Sequence, residues 1–327
     1  MKAAINTHYG PPEVVQVRDT SKPAPGENEV LVRVCATTVN RTDCGMRTPY
    51  PFFARAFIGL FKPNVHILGL DFAGTIEAVG DKVTAYEPGD KVFGLSPSVY
   101  GAHAEYLVCP EGGPMALMPD GVSFTAAAPL EGAWYANGIL RAFDIRPGQS
   151  ILIYGTSGAI GTAAVQLAKS YGAQVTAVCP GKHVELAKSL GADHIVDLDR
   201  EDFAESGDTF DFVLDAVGKV SYFRCRKLLK SDGVFSATDL GAWGHVALLA
   251  IWSAITSRKR VVLPTPKASK VIIEFLKALI EKGEYHPIID RRYQLDEIVE
   301  AYRYVETGQK VGNVVIDVTP TEQRDAS

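Results

Sequence analysis

The chain has 327 residues, a length that suggests about two domains. It is 46% hydrophobic and 22% charged, which excludes a disordered chain. Its 33 Lys and Arg against 38 Asp and Glu leave a net charge of −5 with no basic block, so composition gives no electrostatic grip on nucleic acid.

Residues 1–125 read as β-rich. Val14-Val15-Gln16-Val17, Glu29 to Val34 and Ala73 to Gly80 are apolar runs of strand length. Pro/Gly turns separate them at Gly10-Pro11-Pro12, Pro23 to Gly26 and Glu87 to Asp90, as in a compact barrel or sandwich. From residue 126 the rhythm changes. Gln149 to Tyr154 is a buried strand, Ala159 to Tyr171 a helix, Gln174 to Val178 a strand and His183 to Leu190 a helix. Three further strands follow at His194-Ile195-Val196, Phe210 to Asp215 and Gly233 to Ala237. Strands alternating with helices predict an α/β fold with a doubly wound parallel sheet over 126–265. Beyond it stand an amphipathic helix, Ser269 to Lys282, and a late strand, Asn313 to Val318, expected to return to the first domain. The expected domains are therefore 1–125 with 266–327, and 126–265.

Cys35, Cys44, Cys109, Cys179 and Cys225 are widely spaced and form no CxxC pair, neither a disulfide framework nor a zinc ribbon. No run reaches the ~18 apolar residues of a membrane span, and Met1 to Asn6 lack a signal-peptide core. A cytoplasmic protein is the expectation.

The sharpest local signal is Gly155-Thr156-Ser157-Gly158-Ala159-Ile160-Gly161, between a strand and a helix. Gly155 would make the tight turn, Gly158 would admit a pyrophosphate, and Gly161 would let the helix sit close to the strand. The alternative is a βα turn that merely needs small residues. An NAD site ordinarily carries an acid at the end of the second strand. Here that strand ends in Cys179-Pro180-Gly181-Lys182-His183, with no acid. Lys182 and His183 either meet a 2′-phosphate, which favours NADPH, or form a solvated helix start.

These motifs, together with Lys310-Val311-Gly312-Asn313-Val314-Val315, resemble the medium-chain dehydrogenase/reductase superfamily, and within it the zinc-free quinone-oxidoreductase-like branch. The resemblance covers nearly the whole chain. It implies a GroES-like catalytic domain joined to a Rossmann domain, an active site in the cleft between them, and a homodimer. It implies an NADPH-dependent reductase that transfers hydride to a small apolar quinone, enone or other activated carbonyl compound. The rivals are an alcohol/aldehyde oxidoreductase of the same fold and a non-catalytic NADPH-binding protein.

Zinc-dependent relatives place a Cys where Asn40 stands and a His where Leu70 stands, so no zinc is expected. Without a Lewis acid, hydrogen-bond donors must polarise the reacting oxygen. By resemblance Asn40 is the first choice, with Thr42 and Arg41 behind it; Asp43 and Arg47 either brace this loop by ion pairing or touch substrate. Tyr135 either donates a proton or packs on the nicotinamide. The resemblance also assigns cofactor contacts to Val217-Gly218, Leu240-Gly241 and Asn313. The apolar segments Tyr50 to Phe61 and Trp243 to Trp252 are left as self-burying loops, pocket walls, dimer contacts or membrane-surface contacts.

Overall fold

The computed structural model describes residues 1–49, 55–96, 98, 100–239, 246, 249–250, 260–264 and 266–318, with Phe57 described by its backbone alone. Contacts divide the chain into two compact units. One comprises Met1–Glu131, Ala268–Lys282 and the chain from Pro287 onward; the other comprises Gly132–Lys267 and Gly283–His286. Leu240, Gly241 and most of Trp243 to Trp252 lie outside the described residues, as do Tyr50 to Ala54 of the earlier apolar segment.

The first unit is organised by Glu29–Val39, an 11-residue strand buried along both faces. Its Val- and Thr-rich sequence suits that position, because β-branched side chains pack well on a pleated surface. It pairs antiparallel with Asp71–Val79, Tyr106–Pro110 and Asn313–Asp317. The late strand therefore does return to this sheet, with Val314 opposite Val39 and Ile316 opposite Thr37. Ile289–Gln294 lies parallel on its far side. Val30, Val32, Phe72, Ile76, Val92 and Leu107 form the core with Tyr302 and Val305 of the helix Ile298–Glu306.

The second unit carries a parallel sheet of six strands among the described residues. Across the sheet they run His194–Asp197, Gln174–Cys179, Ser150–Tyr154, Phe210–Asp215, Leu229–Ala237 and Arg260–Val262. In chain order this is 3-2-1-4-5-6, the doubly wound arrangement in which strand order reverses between the first and fourth strands. Ile151-Leu152-Ile153 is apolar without alternation because helices cover both faces of such a sheet. The helix Ala159–Ser170 buries Ala163, Ala164, Val165, Leu167 and Ala168. Small residues let this helix lie close to the strands. Among the described residues no helix is long and apolar enough to cross a membrane.

Candidate active site

The strand-order reversal leaves two loops side by side at the carboxyl ends of Ser150–Tyr154 and Phe210–Asp215, where open α/β sheets bind ligands. Gly155 has φ +82°, a left-handed conformation that strains any residue with a side chain. A Cβ on Gly161 would stand 2.2 Å from the Gly155 carbonyl oxygen, so the helix can start this close to the turn only with glycine there. A Cβ on Gly158 would meet nothing nearer than that same oxygen, at 4.0 Å. Open space at Gly158 is what close approach of a pyrophosphate requires. Ser157, Ala159 and Ile160 are half-buried around it and Thr156 is buried. The first N–H groups of Ala159–Ser170 have no intrahelical acceptor and favour an anion. These residues fit a dinucleotide.

The neighbouring loop is organised by Asp215, which is fully buried. Its Oδ1 accepts the N–H groups of Val217 and Gly218 at 3.0 and 2.9 Å, and its Oδ2 accepts that of Val220 at 2.7 Å. The Val217 side chain lies over Gly155, where an added Cβ would be 2.7 Å from it. Tyr135 is half-buried on the helix Glu131–Phe143, its ring centroid 4.8 Å from that of Trp134.

At the end of the second strand Cys179 is buried and burial raises its thiol pKa, while Lys182 is exposed. The expectation of no carboxylate here needs correction. The third strand, His194–Asp197, runs parallel to the second and brings Asp197 level with Cys179. Asp199 Oδ2 accepts the Gly181 N–H at 2.9 Å, and Asp197 accepts the Asp199 N–H at 3.0 Å and pairs with Arg200 at 3.3 Å. Both acids are engaged by local partners. They were missed because they belong to the third strand and the turn that follows it.

The first unit holds a second polar construction, built from side chains. Asn40 is the N-cap of the helix Arg41–Arg47 and is 2% exposed. Its Nδ2 donates to Thr38 Oγ1 at 2.5 Å, and Thr38 Oγ1 donates to Asp71 Oδ1. Asp71 Oδ2 accepts the backbone N–H groups of Leu130 and Glu131, each at 3.1 Å. The Glu131 carboxyl group is buried and hydrogen-bonded to the hydroxyl of Thr42, which is half-buried. Asp43 is fully buried and accepts the N–H groups of Asn40 at 2.8 Å and Gly69 at 3.0 Å. It therefore braces the loop through backbone hydrogen bonds, whereas buried Arg47 pairs with Glu306.

Burial disfavours ionisation of all three acids. Desolvation pushes Asp43 up to about 7 and Asp71 to about 6, against the N–H groups that stabilise their charged forms. Glu131 is raised well above the ordinary carboxylate range by desolvation and then by the charges of Asp43 and Asp71. Lys310 is lowered by desolvation, with Glu131 the first influence opposing it. Burial first and Asp43 second push the Cys44 thiol up to about 12, so it is an inert core residue. His103 Nε2 lies 2.8 Å from the Thr38 carbonyl, which can only accept, so Nε2 carries a proton. Desolvation holds His103 at about 4, and Nδ1, 3.4 Å from the Tyr302 hydroxyl, is the acceptor.

Asn313 lies on the same unit. Its Nδ2 donates to Ile288 O at 3.0 Å, and its Oδ1 is buried without a partner among the described residues. Gly312 before it has φ +69°, and a Cβ there would stand 2.2 Å from Ile288 O. At the two positions where zinc-dependent relatives are expected to carry ligands, Asn40 donates to Thr38 and Leu70 is 1% exposed in the core; among the described residues no group of three or more His, Cys, Asp or Glu could hold a metal.

The family model described as an alcohol dehydrogenase GroES-like domain matches residues 26–120, and that of a zinc-binding dehydrogenase matches 190–316. A 2-methylene-furan-3-one reductase of Solanum lycopersicum is 31% identical, covering 98% of this chain and 80% of that protein. The chain belongs to the medium-chain dehydrogenase/reductase superfamily. Like other members of the superfamily it is an NAD(P)H-dependent oxidoreductase. It is 29% identical to a quinone oxidoreductase of Pseudomonas aeruginosa, over 94% of this chain and 97% of that one. A solved quinone oxidoreductase from Coxiella burnetii superposes with a TM-score of 0.87 at 27% identity, over 98% of this chain and 99% of that one.

Of the residues that sequence reasoning brought forward for this dehydrogenase/reductase, Asn40 and Thr42 share one hydrogen-bonded network, and Gly155 to Gly161 lie beside Val217. Glu131, Lys310 and His103 were missed. Glu131 did carry a signal, an acid directly after the apolar run Ala126-Ala127-Ala128-Pro129-Leu130.

Proposed function

We propose that this protein is an NADPH-dependent reductase acting without metal on a quinone, enone or other activated carbonyl compound. The observation that carries the reading is the glycine turn, where Gly161 has no room for a side chain and Gly158 opens onto space. The names of the relatives, a furanone reductase and quinone oxidoreductases, support the substrate class.

In this reading the turn and the first N–H groups of Ala159–Ser170 hold the pyrophosphate. Lys182 and His183 receive the 2′-phosphate, opposed by Asp197 and Asp199, whose charges are partly engaged by Arg200 and the Gly181 N–H. When bound, the reduced nicotinamide supplies a hydride. The chain's own contribution is to stabilise and neutralise the charge that develops on the substrate oxygen, for which Asn40, Thr42 and Tyr135 are the candidate donors.

The test is oxidation of NADPH and of NADH, followed optically against a panel of quinones, enones, aldehydes and alcohols, together with metal analysis of the purified protein. NADPH consumption with an enone or quinone, undiminished by chelators, is expected. One tightly bound zinc per chain would overturn the metal-free reading, and turnover confined to alcohols and aldehydes would overturn the substrate class.

A further inference from the structure

Reduction of a carbonyl-conjugated substrate by hydride leaves a negative oxygen, and a proton must reach it. Within the first unit, a half-buried hydroxyl, Thr42, is backed by a buried carboxyl group, Glu131, in direct hydrogen-bond contact. We propose that Glu131 is the proton reservoir behind Thr42, restoring the hydroxyl proton that Thr42 delivers to the oxygen of the reduced substrate. This inference rests on the reductase reading above.

Two features of the geometry carry it. Glu131 is held at its backbone by Asp71, whose Oδ2 accepts the Glu131 N–H at 3.1 Å, so Glu131 itself is pinned to the strand Asp71–Val79. Asp71 is in turn tied through Thr38 to Asn40, two residues before Thr42. The hydroxyl and the carboxyl group are thus positioned by one continuous network. The charged environment also favours a retained proton. Asp43 and Asp71 face Glu131 as like charges, and Lys310 is the opposing cation. Lys310 is itself also drawn by Asp290 and is repelled by Arg41.

The step balances as follows. Hydride adds to the carbon conjugated with the carbonyl group, and the electron pair of the double bond moves to oxygen. That oxygen takes the Thr42 hydroxyl proton as Thr42 Oγ takes the Glu131 carboxyl proton. The Glu131 carboxylate then recovers a proton from water. The sum is consumption of one reduced cofactor and one solvent proton per substrate. Glu131 acts through Thr42 and is a positioning and proton-supplying residue; Thr42 is the group that touches substrate.

The experiment compares the parent protein with Glu131→Gln, Thr42→Val and the double variant. At about pH 8, above the ordinary range of carboxyl groups, the infrared spectrum of the parent should contain a protonated-carboxyl band that Glu131→Gln removes. This readout needs neither cofactor nor turnover. In turnover, each single variant should lower kcat roughly 10-fold or more, and the double variant should be no worse than the lower single, because the two groups act as a unit. The alkaline fall in the parent's rate should disappear in Glu131→Gln. Absence of the band, or a Glu131→Gln enzyme with the parent's rate and pH profile, would overturn the proposal while leaving an active reductase. A parent that keeps the band yet turns over no panel member would overturn the reductase reading and the relay with it.

Discussion

The glycine turn of the second unit and the carboxylate network of the first hold polar groups by opposite means. Around Gly155 to Gly161 the groups proposed to face the cofactor belong to the backbone, and the glycines leave it open to approach at Gly158. Around Asp71 and Glu131 the backbone donors are answered by buried side chains, and three acids sit together with ionisation disfavoured in each. The first arrangement depends on empty space at fixed positions. The second depends on filled space, with every member tied to another. A site of the first kind is damaged by adding atoms, and one of the second kind by removing or recharging them.

The largest effect expected from that contrast comes from adding atoms at Gly161. Gly161→Val should abolish dinucleotide binding and cost about 1–3 kcal/mol of stability, since its Cβ would press on the Gly155 carbonyl. Fluorescence titration with NADPH and thermal unfolding would measure both, and parent-like binding would remove the turn from the site.

Removing atoms in the network comes next. Asn40→Ala deprives Thr38 of a donor in a buried setting and should cost about 1–3 kcal/mol of stability. If Asn40 also helps polarise the reacting oxygen, turnover per folded, NADPH-competent molecule should fall roughly 10-fold. Unchanged turnover per folded molecule would make it a loop-bracing residue alone.

Cofactor choice sharpens the comparison at a smaller scale. Lys182→Ala should weaken NADPH by roughly 10-fold, in line with the ~1.5–3 kcal/mol of a hydrogen bond to a charged group, and leave NADH near the parent value. Asp199→Asn should act in the opposite direction by easing repulsion of the 2′-phosphate. Equal responses of the two cofactors would detach this loop from the 2′ position.

The remaining expected effect is on stability against pH. Asp43 and Asp71 have raised values of about 7 and 6 in the folded chain, so the unfolded chain loses these protons first. Between about pH 4 and pH 7 the unfolded state binds fewer protons at these positions, and their contribution to stability falls as pH rises. Denaturant midpoints should accordingly be lower at about pH 8 than at about pH 5. A flat profile over that interval would show that the network ionises as ordinary surface carboxylates do.

The turn was legible because its requirements are local. A strand, a glycine at each of three positions and the start of a helix lie within about one dozen residues, and each glycine answers a backbone demand that can be stated without the rest of the molecule. The parallel sheet was legible for a related reason, since Ile151-Leu152-Ile153 and Phe212-Val213-Leu214 carry the unbroken apolar pattern of strands covered on both faces. Asp197 and Asp199 were not legible as neighbours of Gly181, because strand order in the sheet brings them there. Asn40 was visible as a candidate, but its engagement with Thr38 was not.

By itself the sequence determined the alternation of strands and helices and the glycine-rich turn between a strand and a helix, which follow from periodicity, apolar length and glycine spacing, while the late position of Asn313–Asp317 in the chain pointed to its return to the first sheet. Only the tertiary structure decided that Thr42 meets Glu131, 89 positions away, and that Asp71 joins the Glu131 backbone to Thr38 and Asn40. It also decided that these acids resist ionisation, because desolvation is a property of the packed interior and of the charges assembled there from distant parts of the chain.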